Sequence, residues 1–174
     1  MLCAELRFCP FQEVHAEALL SWRYAPPYSM YSLQPEDQHA AIKELLRPDL
    51  HYVAVLNEDD DLIAFRCFGP DAQVPGGSYE GEALDLGGGL RPDLTGKGLG
   101  QHVIAAAMNY AMGRFSPTLF RTTVASFNQR AGKVCERLGY QVARSFVRPS
   151  DGMSFNIFLK KAQMVELVIP MKEA

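Results

Sequence analysis

Residues 84–100 read LDLGGGLRPDLTGKGLG, and this run limits the possible folds more than any other part of the chain. An extended, glycine-laden stretch ends at Leu90, Pro92 starts a turn, and Gly96, Gly98 and Gly100 lead into a long helical pattern. Glycine lets a backbone approach a ligand closely, and a helix N-terminus leaves several N–H groups unpaired where its dipole favours an anion. Lys97 adds a mobile positive charge. The same residues also read as a tight strand-to-helix turn with a solvated lysine. Two common phosphate loops are excluded by spacing. A P-loop needs G-x-x-x-x-G-K-[ST], and here Gly98 follows Lys97. A dinucleotide fingerprint needs G-x-G-x-x-G after a strand in a βαβ unit, and neither condition holds.

The rest of the chain sets the context for this loop. With 174 residues it is expected to form a single domain, 1–174, large enough to bury a sizeable core without staples. Apolar residues are 48% and charged residues 21%, an ordinary globular balance. The net charge of −3 argues against a general polyanion surface, so no nucleic acid is expected as partner. No run approaches the length of a membrane span, and Met1 to Pro10 carries Glu5 and Arg7 rather than a signal-peptide core. Cys3, Cys9, Cys67 and Cys135 show no C-x-x-C spacing, and four scattered thiols suit a reducing, cytoplasmic setting. His15, His39, His51 and His102 have no metal-like spacing, so no metal is expected.

Hydrophobic periodicity orders the elements. Leu6, Phe8 and Phe11 suggest a first strand, and Val14 to Tyr24 a helix. A second helix starts at Pro35-Glu36-Asp37 and presents Ala41, Leu45 and Leu46 before Pro48. His51–Leu56 and Leu62–Phe68 form a hairpin around Asn57–Asp61, and Glu80–Leu90 is the next strand. Leu99–Phe115 is the longest helix. Leu119–Ser126 is a strand, Gln129–Leu138 a helix, and Tyr140–Val147 and Met153–Leu159 are closing strands. Met164–Pro170 (MVELVIP) is suited to a last extended piece, an edge at which a homodimer could form. The order β, α, α, β, β, β, α, β, α, β, β points to a mixed, partly antiparallel α/β (α+β) sheet flanked by helices, not a doubly wound parallel one.

The segment Pro92-Asp93-Leu94-Thr95-Gly96-Lys97-Gly98-Leu99-Gly100 resembles the acyl-CoA pyrophosphate loop of the GNAT-type N-acetyltransferases, Q/R-x-x-G-x-G/A with a proline three residues earlier. Asn128-x-x-Ala131 followed by Glu136-Arg137-Leu138-Gly139-Tyr140 resembles that family's last helix, N-x-x-A then Y-E-K-L-G-F. Both motifs stand at the family's separation, and the likeness covers roughly Glu80 to Leu159. It implies a central sheet splayed after its fourth strand. It also implies acetyl-CoA as co-substrate, with its pyrophosphate on the amides of Thr95, Gly96, Lys97, Gly98, Leu99 and Gly100. The pantetheine arm would run beside Leu90, Arg91 and Pro92, with Asn128 nearby. Two positions depart from the pattern: Thr95 stands where Arg or Gln is usual, and Cys135 stands where many members place the tyrosine that protonates the leaving thiolate.

The implied reaction is transfer of an acetyl group from the thioester to a primary amine of a small molecule or peptide, by direct attack. Such chemistry needs a neutral amine, hence a base or a water relay. Glu82 and Asp85 are the candidate bases and Cys135 the candidate acid; all three also read as ordinary strand or core residues. By alternation Glu80 and Glu82 share one strand face and Asp85 takes the other, unless Gly87-Gly88-Gly89 introduces a bulge. Asn128 equally suits a helix cap. Trp22, Tyr24, Tyr28 and Tyr31 are candidates for the acceptor wall, where aromatic faces would attract a cationic amine; loop packing explains them as well. Two competing functions use the same scaffold: an O-acyl or longer-chain acyltransferase, and a catalytically weak module that senses acyl-CoA.

Overall fold

The computed structural model describes residues 6–167. Its strands form one seven-stranded sheet in the order β1-β2-β3-β4-β5-β7-β6. These are β1 (Arg7–Pro10), β2 (Val53–Leu56), β3 (Leu62–Phe68), β4 (Leu84–Leu90), β5 (Leu119–Ala125), β6 (Gln141–Val147) and β7 (Ser154–Lys161). The helices are α1 (Glu13–Ser21), α2 (Gln38–Leu45), α3 (Leu99–Phe115) and α4 (Gln129–Arg137). Every neighbouring pair is antiparallel except β4 and β5, which run parallel because α3 carries the chain back between them. The element order and mixed sheet are those expected from periodicity.

Local chemistry explains most boundaries. Asp37 caps α2 by accepting the Ala40 N–H at 2.9 Å, as Pro35-Glu36-Asp37 signals. Along α3, Ala105, Ala106, Ala107, Met108 and Ala111 are buried, and this small-residue face lets the helix lie close on the sheet. Ser116, in the left-handed region at φ 48°, ends the helix before Pro117. One core packs α3 and α4 against Val53, Phe68, Leu86, Phe120 and Phe158. A second packs α1 and α2 around Trp22, with Phe65 against it from the opposite face of β3.

Three expectations change. The fourth strand begins at Leu84, not Glu80: its first strand partner is Phe120 of β5, and Gly81, at φ 86°, turns the chain ahead of it. Glu80 and Glu82 therefore sit in an exposed loop and share no strand face. The glycine triplet makes no bulge: pairing runs in regular register from Ala64↔Leu90 to Phe68↔Leu86. Gly88 bends the strand instead, at φ 142°. Finally, 164–167 is irregular, tied to α3 where Asn109 donates to the Val165 carbonyl and accepts its N–H, both at 2.8 Å; 168–170 lies outside the described residues.

Candidate active site

The sheet opens between β4 and β5. Only Leu84↔Phe120 and Asp85↔Arg121 pair across this seam. Beyond them the β5-facing edge of β4 has no strand partner, and two side chains reach its carbonyls: Thr122 donates to Leu86 at 2.9 Å and Tyr24 to Leu90 at 2.7 Å. A strand edge left open inside a fold presents amide and carbonyl groups to an extended ligand.

The glycine loop lies at the open end of this seam. Gly96 and Gly98 take φ 74° and 82°, and Gly98 is the N-cap of α3 with no side-chain cap. A Cβ at Gly98 would touch nothing within 4 Å, so the loop faces open space. Among the described residues the N–H groups of Gly96, Lys97 and Gly98 find no backbone acceptor. Leu94 and Leu99 are buried beneath the loop and anchor it. Thr95 turns its hydroxyl inward to the Pro92 carbonyl at 2.8 Å. Arg91 is engaged with Asp93 at 2.7 Å, so its side chain also turns away from the loop amides. Lys97 is exposed.

A cation that the motif reading did not single out stands beside the loop. Arg130, in the first turn of α4, places Nη1 3.1 Å from where a Gly96 Cβ would be. Its guanidinium lies 4.0 Å from the Tyr28 ring centre, and its Nε donates to the Tyr28 hydroxyl at 2.9 Å. Asn128 caps α4 by accepting the Ala131 N–H at 3.1 Å, and its Nδ2 donates to the Tyr31 hydroxyl at 3.2 Å. The 24–31 segment thus straps the open end of the seam, from Leu90 on β4 to Asn128 and Arg130 on α4. Phe127 continues this aromatic surface, with ring centres 5.8 Å from Tyr28 and 6.2 Å from Tyr31. Burial pushes the Tyr24 phenol up to about 12 and raises Tyr31 as well. Trp22 is not in this surface: it is buried in the α1–α2 core, 6.1 Å from Phe65.

The sequence-derived acid–base candidates are not brought together. Asp85 is 3% exposed; both its oxygens bind Arg121, at 2.6 and 2.7 Å, and Gln73 donates to it at 2.8 Å. Its carboxylate is committed to these partners rather than presented to the open part of the seam. Glu82 lies beyond the closed end of the seam, in a small cleft with Ser78, Leu119, Arg144 and Ile157. Cys135 is buried at the sheet-facing side of α4, and burial pushes its thiol up to about 11. An acid that weak gives up its proton poorly to a thiolate whose own conjugate acid sits near 8.5.

Three comparisons bear on this architecture. A family model described as "Acetyltransferase (GNAT) family" matches residues 14–140. No curated protein matched the sequence. Among solved structures, a GNAT-family acetyltransferase from Bacillus anthracis superposes with a TM-score of 0.70 at 15% identity, covering 91% of this chain and 96% of that one. A chimera of the Vibrio cholerae spermidine N-acetyltransferase SpeG and hSSAT gives a TM-score of 0.71, also at 15% identity, with 91% and 96% coverage. At such identities these likenesses speak for the fold alone. The family match spans most of the chain and both motifs of the open seam: the chain belongs to the GNAT family of acetyltransferases.

Proposed function

We propose that the protein is an acetyl-CoA-dependent N-acetyltransferase that acts on a primary amine. The observation that carries this reading is the continuity of two backbone surfaces: the uncapped start of α3 and the edge of β4 that leads to it, which has no strand partner beyond Asp85 among the described residues. A pyrophosphate is complementary to the first and an amide-bearing arm to the second. Gly98 supports the fit, since the space a side chain would fill is open. When bound, acetyl-CoA would supply the activated acyl group. Thr95 offers no cation to phosphates, and Arg130 beside Gly96 supplies one from α4 instead.

The acceptor would enter past the strap formed by Tyr24, Tyr28 and Tyr31 with Phe127; the Tyr28 ring already carries Arg130, so the Tyr24, Tyr31 and Phe127 rings are the ones that suit a cationic amine. Asp85 is held by Arg121 and Glu82 lies past the seam's closed end, so deprotonation falls to water or to the amine's own equilibrium. At pH 7.4 an amine of pKa about 7.8 is about 30% neutral, against about 0.1% for one near 10.4. This favours acceptors of low amine pKa, such as α-amino groups. A catalytically weak acyl-CoA-binding module is the second reading, favoured by the raised Cys135 thiol and the occupied Asp85.

The test is thermal shift with acetyl-CoA, CoA and ATP, followed by release of free thiol with a panel of amines of graded pKa. Stabilisation by acetyl-CoA and CoA but not ATP, with amine-dependent thiol release, is expected; ligand at ~100 times Kd adds about 2.7 kcal/mol. Stabilisation without thiol release would leave the binding module. No shift at millimolar acetyl-CoA would end both readings.

A further inference from the structure

Arg66 on β3 is 7% exposed and makes no hydrogen bond or ion pair among the described residues; its Nε is sealed from solvent without a partner. The Tyr140 hydroxyl, 3% exposed, is in the same condition. The charged or titratable groups that act on the guanidinium are Cys67 beside it on β3, Cys135 on α4 and Tyr140 just after α4, and no carboxylate is among them. Cys135 and Tyr140 feel the positive charge of Arg66 in return. An unpartnered guanidinium nitrogen and an unpartnered phenol are therefore buried near each other among the described residues. Burying an unpaired charge is costly, and a fold keeps such a group where a partner arrives from outside.

The strand register shows where that partner would arrive. Arg66 faces Gly88 across the β3–β4 pair. A Cβ at Gly88 would sit 3.0 Å from Arg66 Cδ and 2.2 Å from the Phe65 carbonyl, so the arginine stem leans over the bare backbone of Gly88. Gly88 belongs to the stretch of β4 that β5 leaves unpaired.

This inference rests on the acyl-CoA reading above. Aminolysis of a thioester forms a C–N bond and breaks the C–S bond, leaving its electron pair on sulfur. The amine nitrogen sheds a proton to water, and the sulfur takes one from water after it leaves. We propose that Arg66, assisted by the Tyr140 hydroxyl, is the seat of the departing CoA sulfur and holds it as a thiolate. Arg66 keeps its own proton throughout and acts by charge.

The experiment titrates CoA bound to the full-length protein by thiolate absorbance near 240 nm, subtracting the same titration with desulfo-CoA so that the protein's own thiols and phenols cancel. The bound thiol is expected to titrate at least one pH unit below free CoA. Arg66→Gln should abolish that shift and lower kcat about 100-fold, the scale for losing one preorganised donor at a developing anion. Arg66→Lys should keep part of both, and Tyr140→Phe should cost about tenfold in kcat. Desulfo-CoA affinity should be unchanged in all three. Bound CoA that titrates as free CoA in the wild type overturns the proposal even if Arg66→Gln does not fold. So does an Arg66-dependent preference for succinyl-CoA over acetyl-CoA with no thiol shift, which would make the guanidinium a carboxylate site on the acyl group. Failure of both CoA and desulfo-CoA to bind would instead sink the acyl-CoA reading itself.

Discussion

Asp85 and Arg121 are the last facing pair before β4 and β5 separate, and they are joined by two hydrogen bonds of 2.6 and 2.7 Å with both side chains buried. Arg121 also donates to the Glu80 carbonyl at 3.1 Å and lies 5.1 Å from the Tyr79 ring centre. The pair fixes the point from which the seam opens. Removing one partner leaves a buried charge uncompensated, so Asp85→Ala or Arg121→Met should each cost about 3–5 kcal/mol in denaturant unfolding. The double change Asp85→Leu with Arg121→Met should recover much of that loss. A single Asp85→Asn variant that keeps wild-type stability but loses all turnover would instead make Asp85 a proton carrier.

Gly98 separates binding from folding. Its φ of 82° makes any side chain mildly strained, but nothing lies within 4 Å of the added Cβ. Gly98→Ala should therefore cost about 1 kcal/mol of stability and spare much of the acetyl-CoA thermal shift. Gly98→Glu should cost a similar amount and remove the shift, because its carboxylate occupies the place of the phosphates. Equal shifts in the two variants would place the ligand elsewhere.

Arg130 is expected to carry the charge that Thr95 lacks. Arg130→Gln should weaken acetyl-CoA binding about tenfold, or about 1.4 kcal/mol, and reduce its dependence on salt. Tyr28→Phe keeps the ring under the guanidinium and loses the 2.9 Å hydrogen bond, so its effect should be smaller. Isothermal titration at two salt concentrations distinguishes these outcomes.

Stability should fall in alkali. Burial pushes Cys135 up from 9.0 to about 11 and Cys67 up to about 12. Above about pH 9 the unfolded chain releases these protons while the folded protein retains them. The contribution of each buried neutral thiol is therefore complete below pH 9 and is lost as pH climbs toward its folded value. Cys135→Ala should lower the melting temperature at pH 7 yet flatten its decline between pH 9 and 11. Parallel curves for variant and wild type would contradict the burial argument.

Some of this site is written in local sequence and some is not. Pro35-Glu36-Asp37 reads as a helix start and Asn128 as a cap or a ligand contact, because a cap needs only the residue and the N–H three positions later. The loop at Gly96 and Gly98 was readable because positive φ is a property of single residues. The sheet's element order followed from apolar periods of two and 3.6. Trp22 was ambiguous, since a helix face and a pocket wall use the same residue type, and only packing against Phe65 assigns it to the core. Arg130 lies two residues after a recognised asparagine, yet nothing local shows that its guanidinium reaches Gly96.

The strand and helix order, the turn that opens α3 and the family likeness all follow from local sequence, because each depends on neighbours in the chain. Tertiary structure alone decided the fates of the charged residues. Asp85 looked like a base until Arg121, 36 positions away, took both its oxygens. Arg66 is one charge inside the apolar run LIAFRCF, but its lack of a partner among the described residues depends on which groups β4 and α4 bring near it. Whether a buried charge is satisfied is set by long-range contacts, and those exist only once the sheet has formed.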